Sequence, residues 1–413
     1  MVTSRLKMIK KRKSFAKKII NPKPRYIEKR GYRKIGVTVE RSRRKKRTFL
    51  ISILLIILLP LLGLILWQGV RITKIMLKPF DLALGNFERN TTWKGKTQLN
   101  ILFLVLSSLD KKTATVENIY LIEVDKENEN LRILKIPNDI DVDVAKGMGE
   151  YRLDKVYALG AIQDKKENMT LFKDTIEKNF AIPIDRYIAV DSSFPQFIDD
   201  SINFNQKELN SSAVSDLLKN NKNILNGISG VFNILKLKEE SQGYISTNLA
   251  ASEFLLFGST LGKIEGEKLS YREFSNDLYT ETEEEDEKHK QLEQIKLDFF
   301  IQTNFYDYLV RQERLKIKIY NATNTPQIAS KASRLISNMG AEVIDLSNHE
   351  NEKVSIIQVS SDMANSETVK RVRDAFRATI KIVQIDPIER ADLKLIIGEN
   401  WSFRMEGTIG ENE

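Results

Sequence analysis

Hydrophobic and polar positions divide the chain into one long apolar run followed by many short segments. Residues 49–67, FLISILLIILLPLLGLILW, are 19 consecutive positions without a charge. A helix of that length rises about 30 Å, the thickness of a bilayer's hydrocarbon core. The run predicts a single transmembrane helix, with Pro60 tolerated mid-span. A cleaved signal peptide is the competing reading, but no small-x-small site follows Trp67. After a connector at 68–98 the texture changes. LNILFLVL (99–106) has the continuous apolar character of a strand buried on both faces. ENIYLIEVD (117–125) and LRILKIP (131–137), separated by the polar KENEN, read as a β-hairpin. The stretch from Asn138 to Ala161 reads as a loop leading into a short helix. Residues 168–180 carry Met169, Leu171, Phe172, Ile176 and Phe180 on one helical side, and Pro183 opens a strand over 184–191. A helix at 194–201 and a polar insertion at 206–227 follow. The charged run 276–290 reads as a solvated loop, with a cation-binding acidic patch as the alternative. Helical spacing returns from Glu287 to Leu309, through Leu292, Ile295, Phe299, Tyr306 and Leu309.

A separate pattern starts near Leu315. KIKIYNAT (316–323) is a strand and polar turn. TPQIASKASRLISNMG (325–340) is a helix with Thr325 as its expected cap, Pro326 near its start and Gly340 just past its end. Strands are expected at 341–348, 354–361, 381–386 and 392–400, with a Ser366-capped helix at 366–376. The tail 401–413 looks frayed. The expected architecture is α/β throughout: a basic tail (1–48), the span (49–67), a connector (68–98), a mixed-sheet domain (99–310) and a small C-terminal domain (315–400).

Charge sharpens this division. Residues 1–48 hold 20 Lys and Arg against Glu28 and Glu40, a net +18. The remainder therefore has 65 − 20 = 45 basic and 56 − 2 = 54 acidic residues, a net −9. Basic residues flanking a span stay cytoplasmic, so the expected location is the cell membrane, N-terminus inside and the bulk extracytoplasmic. The basic tail fits contact with anionic membrane lipid; docking to a cytoplasmic partner or to nucleic acid are the other readings, and no DNA-binding fold suits so short a segment. Cysteine is absent and only His289 and His349 are present. That excludes thiolate zinc sites and cysteine nucleophiles, and it leaves little for a His-rich metal centre or a Ser-His-Asp triad.

Several segments resemble the LytR-CpsA-Psr family of cell-envelope proteins. IKIYNAT, Pro326 and the helix ending at Gly340 resemble the Val-x-Val-x-Asn-Gly-Thr opening of the family's small C-terminal domain, with Ala322 in place of the usual glycine. DLKLIIGEN resembles its closing strand. Upstream, QLNILFLVLSS, TVENIYLIEVD, LKIPNDIDVDV, LDKVYALGA and IPIDRYIAVD resemble successive motifs of the family's catalytic domain, the last being the most literal.

The resemblance implies transfer of a glycopolymer from a polyprenyl-pyrophosphate lipid to the cell wall. That chemistry uses Mg²⁺ held by carboxylates and arginines that bind phosphate. At the matching positions this chain has Ser107 for a metal-binding aspartate, Glu117 for a second, and Thr115 and Asn138 for two arginines. No counterpart of the later arginine-rich helix stands out in 249–295. Glu117 and Asp139 remain as candidate metal ligands, and Lys155 and Arg186 as candidate phosphate-binding residues. The expected function is a non-catalytic relative that binds a wall glycopolymer, a polyprenyl-pyrophosphate lipid or an envelope partner. A Mg²⁺-dependent phosphotransferase with substituted residues is the alternative, and a transcriptional attenuator a third reading.

Overall fold

A computed structural model describes residues 93–407, apart from 96–97, 110–112, 164–166, 194–242, 262, 265 and 285–286. The apolar run at 49–67, the basic tail and the segments expected at 194–201 and 206–227 lie outside the described residues. Among the described residues, no helix is long and apolar enough to cross a membrane.

A six-stranded mixed sheet organises the first half, in the order β7-β6-β1-β2-β3-β8. Its strands are β1 (Leu99–Leu106), β2 (Val116–Asp125), β3 (Asn130–Ile136), β6 (Arg186–Asp191), β7 (Ile245–Thr247) and β8 (Leu269–Glu273). β1, β2 and β3 form an antiparallel meander, while β6 runs parallel to β1. β1 is buried on both faces, as its unbroken apolar sequence predicts. Leu102, Leu104 and Leu106 face helices α1 (Leu153–Gln163) and α2 (Asn168–Phe180). Leu99 and Ile101 face the opposite side with Trp93 and Val124, where Phe254, Leu256 and Phe257 of α3 (Ala251–Leu261) are half-buried.

The stretch after Asn138 is not a loop. Val142 and Val144 alternate with exposed Asp143 in β4 (Asp141–Val144), which pairs antiparallel with β5 (Gly149–Arg152) around a turn where Lys146, Gly147 and Gly149 have positive φ. The charged run is not a loop either. It forms β9 (Tyr279–Glu284) and β10 (Glu287–Leu292), which join β4 and β5 in a second sheet of order β5-β4-β10-β9. Cross-strand partners Lys290–Glu281 and Lys288–Glu283 place opposite charges side by side, so a strand pair forms without an apolar stripe. The helix expected over 287–309 consequently breaks into β10, α4 (Gln294–Asn304) and α5 (Tyr308–Glu313). α4 buries Leu297 and Ile301, while Ile295 and Phe299 are 86% and 73% exposed. Helical structure is thus confined to α4 and α5, and the apolar spacing through Ile295 and Phe299 lies on the exposed side of α4.

The C-terminal sheet has the order β12-β11-β15-β13-β14. It contains β11 (Lys316–Asn321), β12 (Glu342–Asn348), β13 (Ile356–Val359), β14 (Thr379–Ile382) and β15 (Leu393–Ile397). Ile317, Ile319, Ile357, Leu393 and Leu395 meet α6 (Ile328–Met339), α7 (Glu367–Phe376) and α8 (Glu399–Glu406) in a core of their own. Ser366 caps α7 by accepting a hydrogen bond from the Val369 N–H. α6 ends at Gly340 with φ 107°, but it starts after Gln327 and not at Thr325, whose Oγ1 lies 2.5 Å from Ser402 Oγ. The tail expected from Trp401 is not frayed over its described residues: α8 buries Trp401, Arg404 and Met405.

Candidate functional site

The strand ends carry the residues singled out by sequence. β1 leaves the sheet at Ser107, β2 enters beside it at Val116, and β3 ends just before Asn138. Ser107 Oγ accepts from Thr115 N at 3.0 Å and so closes this loop. Asn138 Nδ2 donates to the carbonyls of Val116 and Glu117, both at 3.0 Å. Its own carbonyl accepts from Asp154 N at 2.8 Å. Asn138 therefore draws the backbone at Glu117, Asp139 and Asp154–Lys155 together at one end of the sheet.

Each charged group there already has an internal partner or faces solvent. Asp139 Oδ2 is 2.7 Å from Lys290 Nζ, and this hydrogen bond raises the Lys290 pKa. Lys155 Nζ and Arg152 Nη2 both lie 3.1 Å from Asp154 Oδ2. His289 Nδ1 is 3.0 Å from Asp141 Oδ2. Glu117 is exposed. Among the described residues, no three His, Asp or Glu side chains gather as a metal-ligand set. With Asp139 turned to an ammonium and Glu117 to solvent, these residues do not fit a resident Mg²⁺.

Arg186 belongs to the other end of the sheet. It pairs with Ile101 in the register that pairs Asp191 with Leu106, so it stands roughly 17 Å from the strand ends just described at about 3.3 Å per residue. It is 6% exposed, and its Nη2 and Nε donate to the two oxygens of Glu253 at 2.8 and 3.3 Å. Burial works to raise the Glu253 pKa, but the hydrogen bond and charge of Arg186 together with the Ala250 and Trp93 N–H groups outweigh it and hold the carboxylate below its ordinary range. Glu253 also accepts from Trp93 N at 2.6 Å and Ala250 N at 2.8 Å. Arg186 thus helps to anchor the incoming chain at Trp93. Nothing in the sequence pointed to Glu253, a lone acid in an apolar helix.

Asp185, in the most literal of the motifs, turns to helix α7 of the C-terminal half. Its Oδ2 accepts from Asn100 N, and its Oδ1 from Arg371 Nη1, both at 2.8 Å. Arg371 is one of three arginines that join the two halves, each from a different helix. Arg334 of α6 reaches Asp298 at 2.7 Å and the Asn179 carbonyl at 2.6 Å. Arg404 of α8 reaches Asp174 at 2.8 Å and Glu177 at 2.5 Å. Burial would raise the Asp174 pKa, yet Arg404 and Lys173 hold it below the ordinary carboxylate range.

Comparison with known families places this arrangement. Residues 82–216 match the LytR_cpsA_psr family, and residues 314–401 match the domain described as LytR cell envelope-related transcriptional attenuator. The chain thus carries a LytR-CpsA-Psr family domain and, after it, a LytR-type C-terminal domain. Similar solved structures include the transcriptional regulator yvhJ from Bacillus subtilis, at 17% identity over 49% of this chain and 94% of that one, TM-score 0.37. They also include B. subtilis TagT, at 14% identity over 53% and 96%, TM-score 0.37. Lin1025 from Listeria innocua is similar at 14% identity over 50% and 97%, TM-score 0.35. TagT has also been solved with bound octaprenyl pyrophosphate lipid. Comparison with curated proteins found no match.

Proposed function

We propose that this is a membrane-anchored, extracytoplasmic member of its family that binds a lipid-linked envelope precursor or wall glycopolymer without cleaving it. The observation that carries the reading is the state of the strand-end charges. Phosphoryl transfer needs cations free to meet developing negative charge and a metal held by free carboxylates. Here Lys155 faces Asp154, Asp139 faces Lys290, and Asn138, at the expected arginine position, clamps the β2 backbone. Removing one preorganised donor from such a site costs about 2.7–4 kcal/mol of transition-state stabilisation. Ser107, Thr115 and Asn138 together replace one expected metal ligand and two expected arginines. The anchor at 49–67 and the charge asymmetry across it support the membrane location and the orientation.

A Mg²⁺-dependent phosphotransferase remains the second reading. It is favoured by one observation: Glu117, Asp139 and Lys155 stay together at one end of the sheet. Turnover separates the two. The full chain in detergent, given Mg²⁺ and a polyprenyl-pyrophosphate analogue, is expected to release no product. Release that Asp139→Asn abolishes would establish the second reading.

A further inference from the structure

The segment joining the two halves, YDYLVRQER (306–314), has an inward and an outward side. Asp307 caps α5 by accepting from Leu309 N at 3.0 Å and Val310 N at 3.2 Å, and its other oxygen faces Arg371 Nε at 3.1 Å. Val310 is buried. Glu313 turns to the start of α7, where it accepts from Glu367 N and Thr368 N, each at 2.7 Å, and from Thr368 Oγ1 at 2.6 Å. The three inward residues recur at three-residue steps, and they include both carboxylates of the segment.

The outward side is left with cations and aromatic rings. Tyr306, Tyr308, Arg311, Gln312 and Arg314 line an open depression of about 560 Å³. The Arg311 guanidinium stacks 3.3 Å from the Tyr306 ring centroid, and its Nη2 donates to the Gln302 carbonyl at 2.5 Å. Among the described residues Arg311 has no carboxylate partner, and the Arg314 side chain makes no hydrogen bond or ion pair. Arg371, Arg334, Arg404, Lys155 and Lys290 all have one. Tyr308 is 38% exposed, and its hydroxyl accepts from Gln312 Nε2 at 2.5 Å.

We propose that this depression binds a phosphorylated saccharide. The guanidinium groups offer planar pairs of N–H donors to phosphate oxygens, and stacking on Tyr306 fixes one of them in advance. The Tyr308 ring, 38% exposed, gives flat apolar area with a hydroxyl at the rim, and the Gln312 amide can both donate to and accept from sugar hydroxyls. Two guanidinium groups suit one or two phosphates. A long polyanion such as RNA is disfavoured, because residues 49–413 carry a net −9 by the count above (45 basic, 54 acidic). The site stands on its own geometry and does not depend on the strand-end residues.

Fluorescence anisotropy on the full chain in detergent tests it, with two sugars joined by a phosphodiester as the labelled probe. The probe is expected to bind. Arg311→Gln and Arg314→Gln should each weaken it about 10- to 100-fold. Lys381→Gln, on exposed β14, should not change it. Arg314→Gln removes no described side-chain contact, so its loss of binding cannot be ascribed to unfolding. Failure of the probe to bind, unchanged binding in both arginine variants, equal binding of the phosphate-free disaccharide or of inorganic phosphate alone, or tighter binding of a short RNA of equal charge would each overturn the proposal.

Discussion

Replacing Arg404 with Met should be among the most destabilising single changes in the described structure. Its Nη2 lies 2.8 Å from Asp174 Oδ1 and 2.5 Å from Glu177 Oε2, and its Nη1 donates to the Ala375 carbonyl at 3.2 Å. Asp174 and Glu177 are 0% and 6% exposed. Without the guanidinium, Glu177 keeps Lys173 at 2.8 Å and the Ile184 N–H at 2.8 Å. Asp174 keeps Lys173, at 3.5 Å, and the weaker attraction of Arg377. The penalty therefore falls on Asp174, an ionised group left in the core. Breaking a buried pair from one side costs about 3–5 kcal/mol, some two to three and a half powers of ten in the folding equilibrium. Urea unfolding of wild type and variant at pH 7, compared at matched m-values, measures this directly. Arg404→Met combined with Asp174→Asn should recover much of the loss, because no unpaired charge then remains. Acid should also shrink the difference, since protonating Asp174 in the variant relieves the burial. A cost below about 1 kcal/mol, or full additivity in the double variant, would refute the claim that this pair joins the two halves.

Glu123 gives a pH prediction of opposite sign. Burial pushes its pKa up to about 8 despite the adjoining Arg132. A raised folded-state value means that its contribution is fully present below the unfolded value near 4.5 and is lost as pH rises through about 8. Glu123→Gln should accordingly stabilise the protein at pH 8 and have little effect at pH 4.5, as read by Tm across that range; equal shifts at both pH values would contradict this. Gly147→Ala should loosen the contact between the β4–β5 turn and α8. Its φ is +64°, and an added Cβ would overlap the Glu406 carbonyl. The check is faster amide exchange in α8, and unchanged exchange would count against it. Asn138→Ala should cost about 1–2 kcal/mol by freeing the Val116 and Glu117 carbonyls, measured by urea midpoint. Protease added to intact cells should cut the bulk and spare residues 1–48; digestion of the tail instead would reverse the proposed orientation.

The core of the fold was legible because burial imposes periodicity. LNILFLVL has the length and unbroken apolar character of a strand covered on both faces, and Met169, Leu171, Phe172, Ile176 and Phe180 are all buried, as their spacing predicts. The errors fall where burial does not set the pattern. β9 and β10 are stabilised by cross-strand charges, so their sequence looks like a solvated loop. α8 looks frayed in sequence because its main stabilising contacts are long-range: Arg404 pairs with residues 230 and 227 positions away. The candidate site divides in the same way. Motif position brought Glu117, Asp139 and Lys155 to one sheet end, but no spacing could reveal that Arg186 is neutralised by Glu253, or that Lys290 arrives from β10 to occupy Asp139.

The central claim is binding without cleavage, and the fate of a bound ligand tests it most directly. The full chain in detergent would be incubated with Mg²⁺ and a polyprenyl-pyrophosphate-linked saccharide, re-isolated, and its bound lipid identified by mass spectrometry. The account predicts recovery of the intact pyrophosphate-linked molecule after prolonged incubation. Recovery of polyprenyl phosphate with the saccharide released, accumulating over many turnovers, would contradict it.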